Sequence, residues 1–118
     1  MEIIDILDAL LLTLDLPFYD SMPVFPNGEA PELFIVYSFY SGSCIFADGV
    51  EKIRIYYVTF DIFSRRRSAL RTAFNSLRSL LRNTDEFCTD SDAYNGTVDF
   101  PGFLRITQET KYYLKISN

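Results

Sequence analysis

The run LFIVYSFY (33–40), answered by KIRIYYVTFDIF (52–63), decides the fold. Both are rich in β-branched and aromatic residues and are set off by Pro31, Gly42 and Gly49, the punctuation that flanks strands. Side chains alternate across a strand. Phe34, Val36, Ser38 and Tyr40 therefore share one face, and Ile35, Tyr37 and Phe39 the other. In the second run, Ile53, Ile55, Tyr57 and Thr59 oppose Tyr56, Val58, Phe60 and Ile62. With residues 41–51 as a turn-rich tip, the pair predicts a long antiparallel hairpin over 33–63 that projects from a small body. Both of its faces are apolar. One layer of helices covers one face, so the other is expected to meet another protein chain.

Working outward, the hairpin runs into a helix over Ser68–Asn83. Its buried stripe is Leu70, Ala73, Phe74, Leu77, Leu80 and Leu81, with Arg71, Arg78 and Arg82 along a flank. Ser68 is the expected N-cap. Cations in a first turn oppose the helix dipole, so Arg65, Arg66 and Arg67 are expected in the connector before it. At the other end, Ile3, Ile6, Leu7, Leu10, Leu11 and Leu14 recur at helical spacing and predict a helix over Glu2–Leu14, stopped by Pro17. Residues 16–32 hold four prolines and an Asn27-Gly28 turn. They read as an extended segment pinned to the body, with a short strand near Met22–Phe25. After the second helix come a weak strand over Glu86–Ala93, a loop with Asn95-Gly96 and Pro101-Gly102, and strands at Phe103–Thr107 and Tyr112–Ile116. The order α-β-β-α-β-β(-β) predicts a single α+β domain over residues 1–118, an antiparallel sheet with two helices packed on one face.

The chain is 48% hydrophobic and 16% aromatic, a globular composition. Its acidic start (Glu2, Asp5, Asp8) is unlike a secretory signal, and no apolar run is long enough to span a bilayer. The expectation is a soluble, cytoplasmic chain with no membrane partner. Cys44 and Cys88 do not make a disulfide framework. The chain has no histidine. That removes Ser-His-Asp and Cys-His catalysis and the usual base near neutral pH, and the expectation is no enzyme and no cofactor. The acids Asp85, Glu86, Asp90 and Asp92 resemble a hard-cation loop only loosely, lacking the glycine and terminal glutamate of an EF-hand. A solvated acidic strand edge is expected there and no metal.

Charge is segregated along the chain. Residues 1–51 carry −9, residues 52–84 carry +7, and residues 85–118 carry −3, for a net −5. Three readings stand side by side. The segments neutralise each other within one fold. Or acidic and basic faces join neighbouring copies, an unlike contact that closes into a ring if the rotation allows. Or the arginines bind nucleic acid, against which the overall acidity argues. The candidate subunit-interface residues are Arg65, Arg66, Arg67 and Arg71, with Asp5 and Asp8 as opposite charges. Asp61 joins them because an acid inside a long apolar strand needs a partner, for which the neighbouring arginines are candidates.

An ordered set of segments carries a resemblance. A first helix runs into Leu16-Pro17-Phe18-Tyr19, then Pro26–Pro31. A strand from Pro31 to Tyr37 leads to Ala47-Asp48-Gly49. A tyrosine-rich strand ends in Val58-Thr59-Phe60-Asp61-Ile62-Phe63-Ser64, and an aromatic strand, Tyr112-Tyr113-Leu114-Lys115-Ile116, closes the chain. This resembles the tail terminator (tail completion) proteins of long-tailed bacteriophages, over nearly the whole length except residues 94–107. The resemblance implies a homohexameric ring that caps the tail tube, stops its growth and presents the head-attachment surface. Its implied partners are further copies of itself, the tail-tube protein and a head connector or head-completion protein, with non-specific DNA contact in the ring lumen. Its implied location is the host cytoplasm during assembly and then the virion tail. It brings no catalytic residues. The alternatives are a head–tail connector or tail-tube subunit and, in a different class, a small α+β ligand-binding or regulatory module.

Overall fold

A computed structural model describes residues 2–25, 30–89, 92–96 and 102–116. The elements run α1 (Ile3–Leu12), β1 (Phe18–Asp20), β2 (Leu33–Ala47), β3 (Val50–Ser64), α2 (Arg67–Arg82), β4 (Phe87–Cys88), β5 (Tyr94–Gly96) and β6 (Leu104–Lys115). The strands lie in the order β1-β2-β3-β6-β4, with β5 also paired to β6. The fold is α+β, and the long hairpin is its spine.

The hairpin is longer than the sequence implies. Residues 41–47 continue β2, and the turn shrinks to Asp48-Gly49, both at positive φ (55° and 76°). Positive φ at both central residues suits the twist of a tight two-residue hairpin turn. Pairing runs from Leu33↔Ser64 at the base to Ala47↔Val50 at the tip, with irregularities at Ser41/Cys44 and Ile45/Phe46. The molecule measures 53 × 27 × 24 Å.

The sheet is mixed rather than wholly antiparallel. The first short strand lies at Phe18–Asp20, upstream of Met22–Phe25, and pairs parallel to β2. Ile35 N–H donates to the Pro17 carbonyl (2.9 Å) and Ser21 N–H to the Tyr37 carbonyl (3.0 Å), which holds the proline-rich segment in that register. The two expected C-terminal strands form one, β6, paired along β3 from Leu104 to Lys115. Residues 108–111 look like a polar break, yet Gln108 and Thr110 are buried. The Thr110 hydroxyl donates to the Cys88 carbonyl (3.0 Å), so that side chain continues the strand with its polar atom satisfied. The strand expected over Glu86–Ala93 contracts to β4, and Asn95-Gly96 lies in β5 rather than in a loop. Pro26, the Asn27-Gly28 turn, Asp90 and Pro101 lie outside the described residues.

Both helices sit on one face. Ile3, Leu7 and Leu11 of α1 and Leu70, Ala73, Leu77 and Leu81 of α2 are buried against Ile35, Tyr37, Val58, Phe60 and Ile62. Each buried leucine, isoleucine, valine or phenylalanine among them contributes about 1.5–3 kcal/mol of burial, an upper bound because the unfolded chain is already partly collapsed. Phe74 and Leu80, expected in the stripe, are half-buried at its margins. The opposite face departs from expectation. Around the hairpin base, Phe34, Val36, Phe63 and Phe103 form a second core, against which Tyr19, Phe25 and Ala30 pack. The chain thus covers its second face itself around the hairpin base.

Candidate assembly surfaces

Among the described residues, the less covered part of the hairpin begins where β1 ends. β1 pairs only with Ile35–Tyr37, so the outer edge of β2 from Ser38 to Ala47 faces no strand among the described residues. Residues 33–47 contain no charged side chain and no proline, the devices that usually blunt an edge. Tyr40 (64%), Ile45 (46%) and Phe46 (61%) are exposed there, as is Val50 (43%) across the turn at the start of β3. On the face away from the helices, Tyr40 stacks on Tyr57 (centroids 5.1 Å, 19° between planes) and the Lys111 ammonium lies 5.8 Å from the Tyr57 ring. Gly42 makes room for that ring: a Cβ at this position would come 2.0 Å from Tyr57 Cε2.

Near the tip, Glu51 accepts two hydrogen bonds from the Arg54 guanidinium, at 2.8 and 2.9 Å. Arg54 holds the Glu51 carboxyl below its ordinary pKa, and Glu51 in turn pushes the exposed Cys44 thiol up, chiefly by hydrogen bonding. A raised thiol pKa means less thiolate and lower reactivity.

The arginine block sits at the other end of the hairpin, where β3 hands over to α2. The helix starts one residue earlier than expected, at Arg67, and Ser68 is not the cap. The Ser64 hydroxyl accepts the Arg66 N–H instead (3.1 Å), ordering the connector from outside the helix. Arg67 therefore stands in the first turn against the dipole, the arrangement the sequence argued against. Arg65 stacks over the Phe103 ring, 4.6 Å from its centroid. Arg67 and Arg71 border a cleft of about 190 Å³ near Asn95 and Leu104. Arg66 borders a larger, more apolar groove of about 340 Å³ between the end of α1 and the start of α2. Among the described residues no carboxylate lies within ion-pair reach of Arg65, Arg66, Arg67 or Arg71; the pairs found there are Arg54–Glu51 and Arg105–Asp61. Among these residues the acidic first half does not neutralise the arginine block.

The candidate acids have other partners. Asp61 accepts a hydrogen bond from the Thr107 hydroxyl and lies 4.0 Å from Arg105 Nε. Its partner is a strand neighbour and not the Arg65–Arg67 block, because β6 lies directly beside it in the sheet. Asp8 accepts from the Tyr37 hydroxyl, tying α1 to β2. Burial, and then this bond, raise the Tyr37 phenol above its ordinary pKa. Asp5 is exposed. The fold does not gather the candidates into one site: arginines cluster at the hairpin base, while Asp8 and Asp61 serve the chain's own packing.

Sequence reading missed the groove, and it placed the hairpin tip at residues 41–51 but read it as turn where strand continues to Ala47 and resumes at Val50. Leu14 and Leu33 read as the last turn of a helix and the first residue of a strand, and Leu16 as a loop residue; nothing in the sequence says that they meet, yet they line the groove with Ala69 and Ala73. The tip did carry a signal, the long run without charge. Among the described residues, no three of the His, Cys, Asp and Glu side chains come together as metal ligands. No helix there is long and apolar enough to cross a membrane. The chain matches no protein-family model and no curated protein sequence.

Proposed function

We propose that this chain is a virion structural protein, a tail terminator of a long-tailed bacteriophage that assembles as a homohexameric ring. One observation carries the self-assembly: a projecting hairpin whose distal half is uncharged along β2, exposed and apolar, on a body that leaves its basic end unneutralised among the described residues. A monomer gains nothing from presenting such a surface to water; a ring subunit buries it. The ordered likeness to the tail terminators supplies the particular assembly. In that role the ring caps the tail tube, stops its growth and offers the head-completion protein a docking face, forming in the host cytoplasm before joining the virion. Light scattering after size exclusion, across a concentration series and paired with electron microscopy, tests this. Closed rings are the expected result. Long open tubes would replace the terminator with a tube subunit, and a monomer at every concentration would refute self-assembly.

A further inference from the structure

We propose that the contact between subunits is a finger in a groove: the hairpin tip of one copy seats between the segment that follows α1 and the first turns of α2 of the next. This rests on the ring reading and names the surfaces that make it.

The finger is narrow because its turn is only Asp48-Gly49. It presents Phe46 and Val50, both exposed. Its acid is Asp48, which has no basic partner among the described residues, whereas Glu51 is tied to Arg54. The groove is complementary. Its apolar walls are Leu14, Leu16, Leu33, Ala69 and Ala73, and Arg66 stands at its margin with no acid in reach among the described residues. Its volume of about 340 Å³ is that of a side-chain-sized to ligand-sized pocket. Apolar tip residues enter the groove, and Asp48 meets Arg66 as they do, which orients the encounter.

The two surfaces cannot meet within one chain. Leu33 pairs with Ser64 at the base and Ala47 with Val50 at the tip. The fourteen residue steps between them span about 45 Å at roughly 3.3 Å each, in keeping with the 53 Å long axis. Only another copy can bring a tip to this groove. Because the surfaces are unlike and lie at opposite ends, copies can join head to tail, the arrangement that the ring reading requires, and such contacts close into rings when the rotation permits.

The native Cys44 is exposed on the finger, and Ser68 borders the groove. A Ser68→Cys variant, oxidised with diamide, is expected to give a ladder of disulfide-linked oligomers on a non-reducing gel. The ladder ends at the subunit number of the ring, and peptide mass spectrometry finds Cys44 joined to the introduced thiol. Adding Arg66→Asp is expected to abolish the ladder, and adding Asp48→Arg to that variant to restore it. Circular dichroism checks that each variant is folded. Rings seen by light scattering without this link would overturn the finger-in-groove contact and leave the ring standing. Links only from Cys44 to Cys44 would mean that tips meet tips and would also overturn it. A monomer at every concentration, with no ladder, would overturn both.

Discussion

Replacing Phe34 with alanine asks whether the face away from the helices is a true second core at the hairpin base. Phe34 is fully buried. Its ring stacks on Phe63 at 4.9 Å and meets Phe25, Phe103 and Tyr19 edge-on at 5.3, 5.7 and 6.0 Å. Truncating a core phenylalanine costs about 3–5 kcal/mol, lost burial and residual cavity together. Ring pairs add about 0.5–1.5 kcal/mol each beyond area, not additively, which places this site toward the upper end. For a chain of this length the entropy of unfolding is roughly 0.25 kcal/mol/K near 60 °C, so the expected fall in Tm is about 12–20 °C. Thermal and urea unfolding followed by circular dichroism read the loss. Phe60→Ala, at the centre of the helix-covered face, serves as the reference. A loss under about 1 kcal/mol for Phe34→Ala, with Phe60→Ala still costly, would refute the packing of Tyr19, Phe25 and Ala30 over this face. The whole second face would then be open to a partner, as the alternating apolar pattern alone implies.

Gly42→Ala forces the Tyr57 ring away from its seat beside Tyr40, and overpacking of this kind costs about 1–3 kcal/mol. Parental stability in urea would show that the ring does not lie over Gly42. Tyr37→Phe removes the hydrogen bond to Asp8 and is expected to cost about 1 kcal/mol at neutral pH. Its pH dependence is more telling. The folded state holds the Tyr37 proton longer than the unfolded chain, whose phenols titrate near pH 10. That stabilisation is complete below about pH 10 and is lost as pH rises toward the higher folded value. The parent should therefore lose stability above pH 10 more steeply than Tyr37→Phe, with Tyr112, also raised by burial, leaving a residue of the effect in the variant. Parallel urea midpoints from pH 8 to pH 11 would refute it.

What was legible in the sequence followed from periodicity. The two-residue alternation over 33–40 and 52–63 gives both the hairpin and its faces, and the stripe from Leu70 to Leu81 gives α2. Errors came where a polar or short segment is held by partners far along the chain. Gln108–Lys111 continues β6 because β3 templates it on one side and Thr110 is satisfied by Cys88. Phe18–Asp20 becomes a strand through backbone bonds at Pro17 and Tyr37, which have no signature in residue type. The Ser68 cap failed for a similar reason: Ser64, outside the helix, satisfies the connector first. At the candidate site, the arginine block was legible as charge. Its neighbours were not, since Leu16 and Leu33 reach Ala69 only through the fold.

The way the hairpin protects itself favours side-chain docking at its tip over strand addition along its edge. β6 supports β3 as far out as Ile53, through its pairing with Lys115. Beyond that point, apart from the Ile116 N–H that donates to the Lys52 carbonyl, the finger has two strands among the described residues, a form that is marginal in water without further packing. The outer edge of β2 carries no charge to repel an added strand, so charge is not its safeguard. The β2–β3 ladder has two irregularities instead: an extra residue in β2 between Ser41 and Cys44, and one in β3 between Glu51 and Ile53. A bulge bends the strand, increases its local twist and interrupts the row of backbone groups that a partner strand would follow. Phe46 and Val50, at the end of the hairpin, stay largely exposed. An edge made awkward for pairing and a tip kept apolar belong together if the tip is inserted into a neighbour and the edge is not extended. The groove between the segment after α1 and the start of α2, lined by leucine and alanine with Thr72 and Ser76 on the helix side and Arg66 at its margin, is a place on the same chain with the chemistry to receive it.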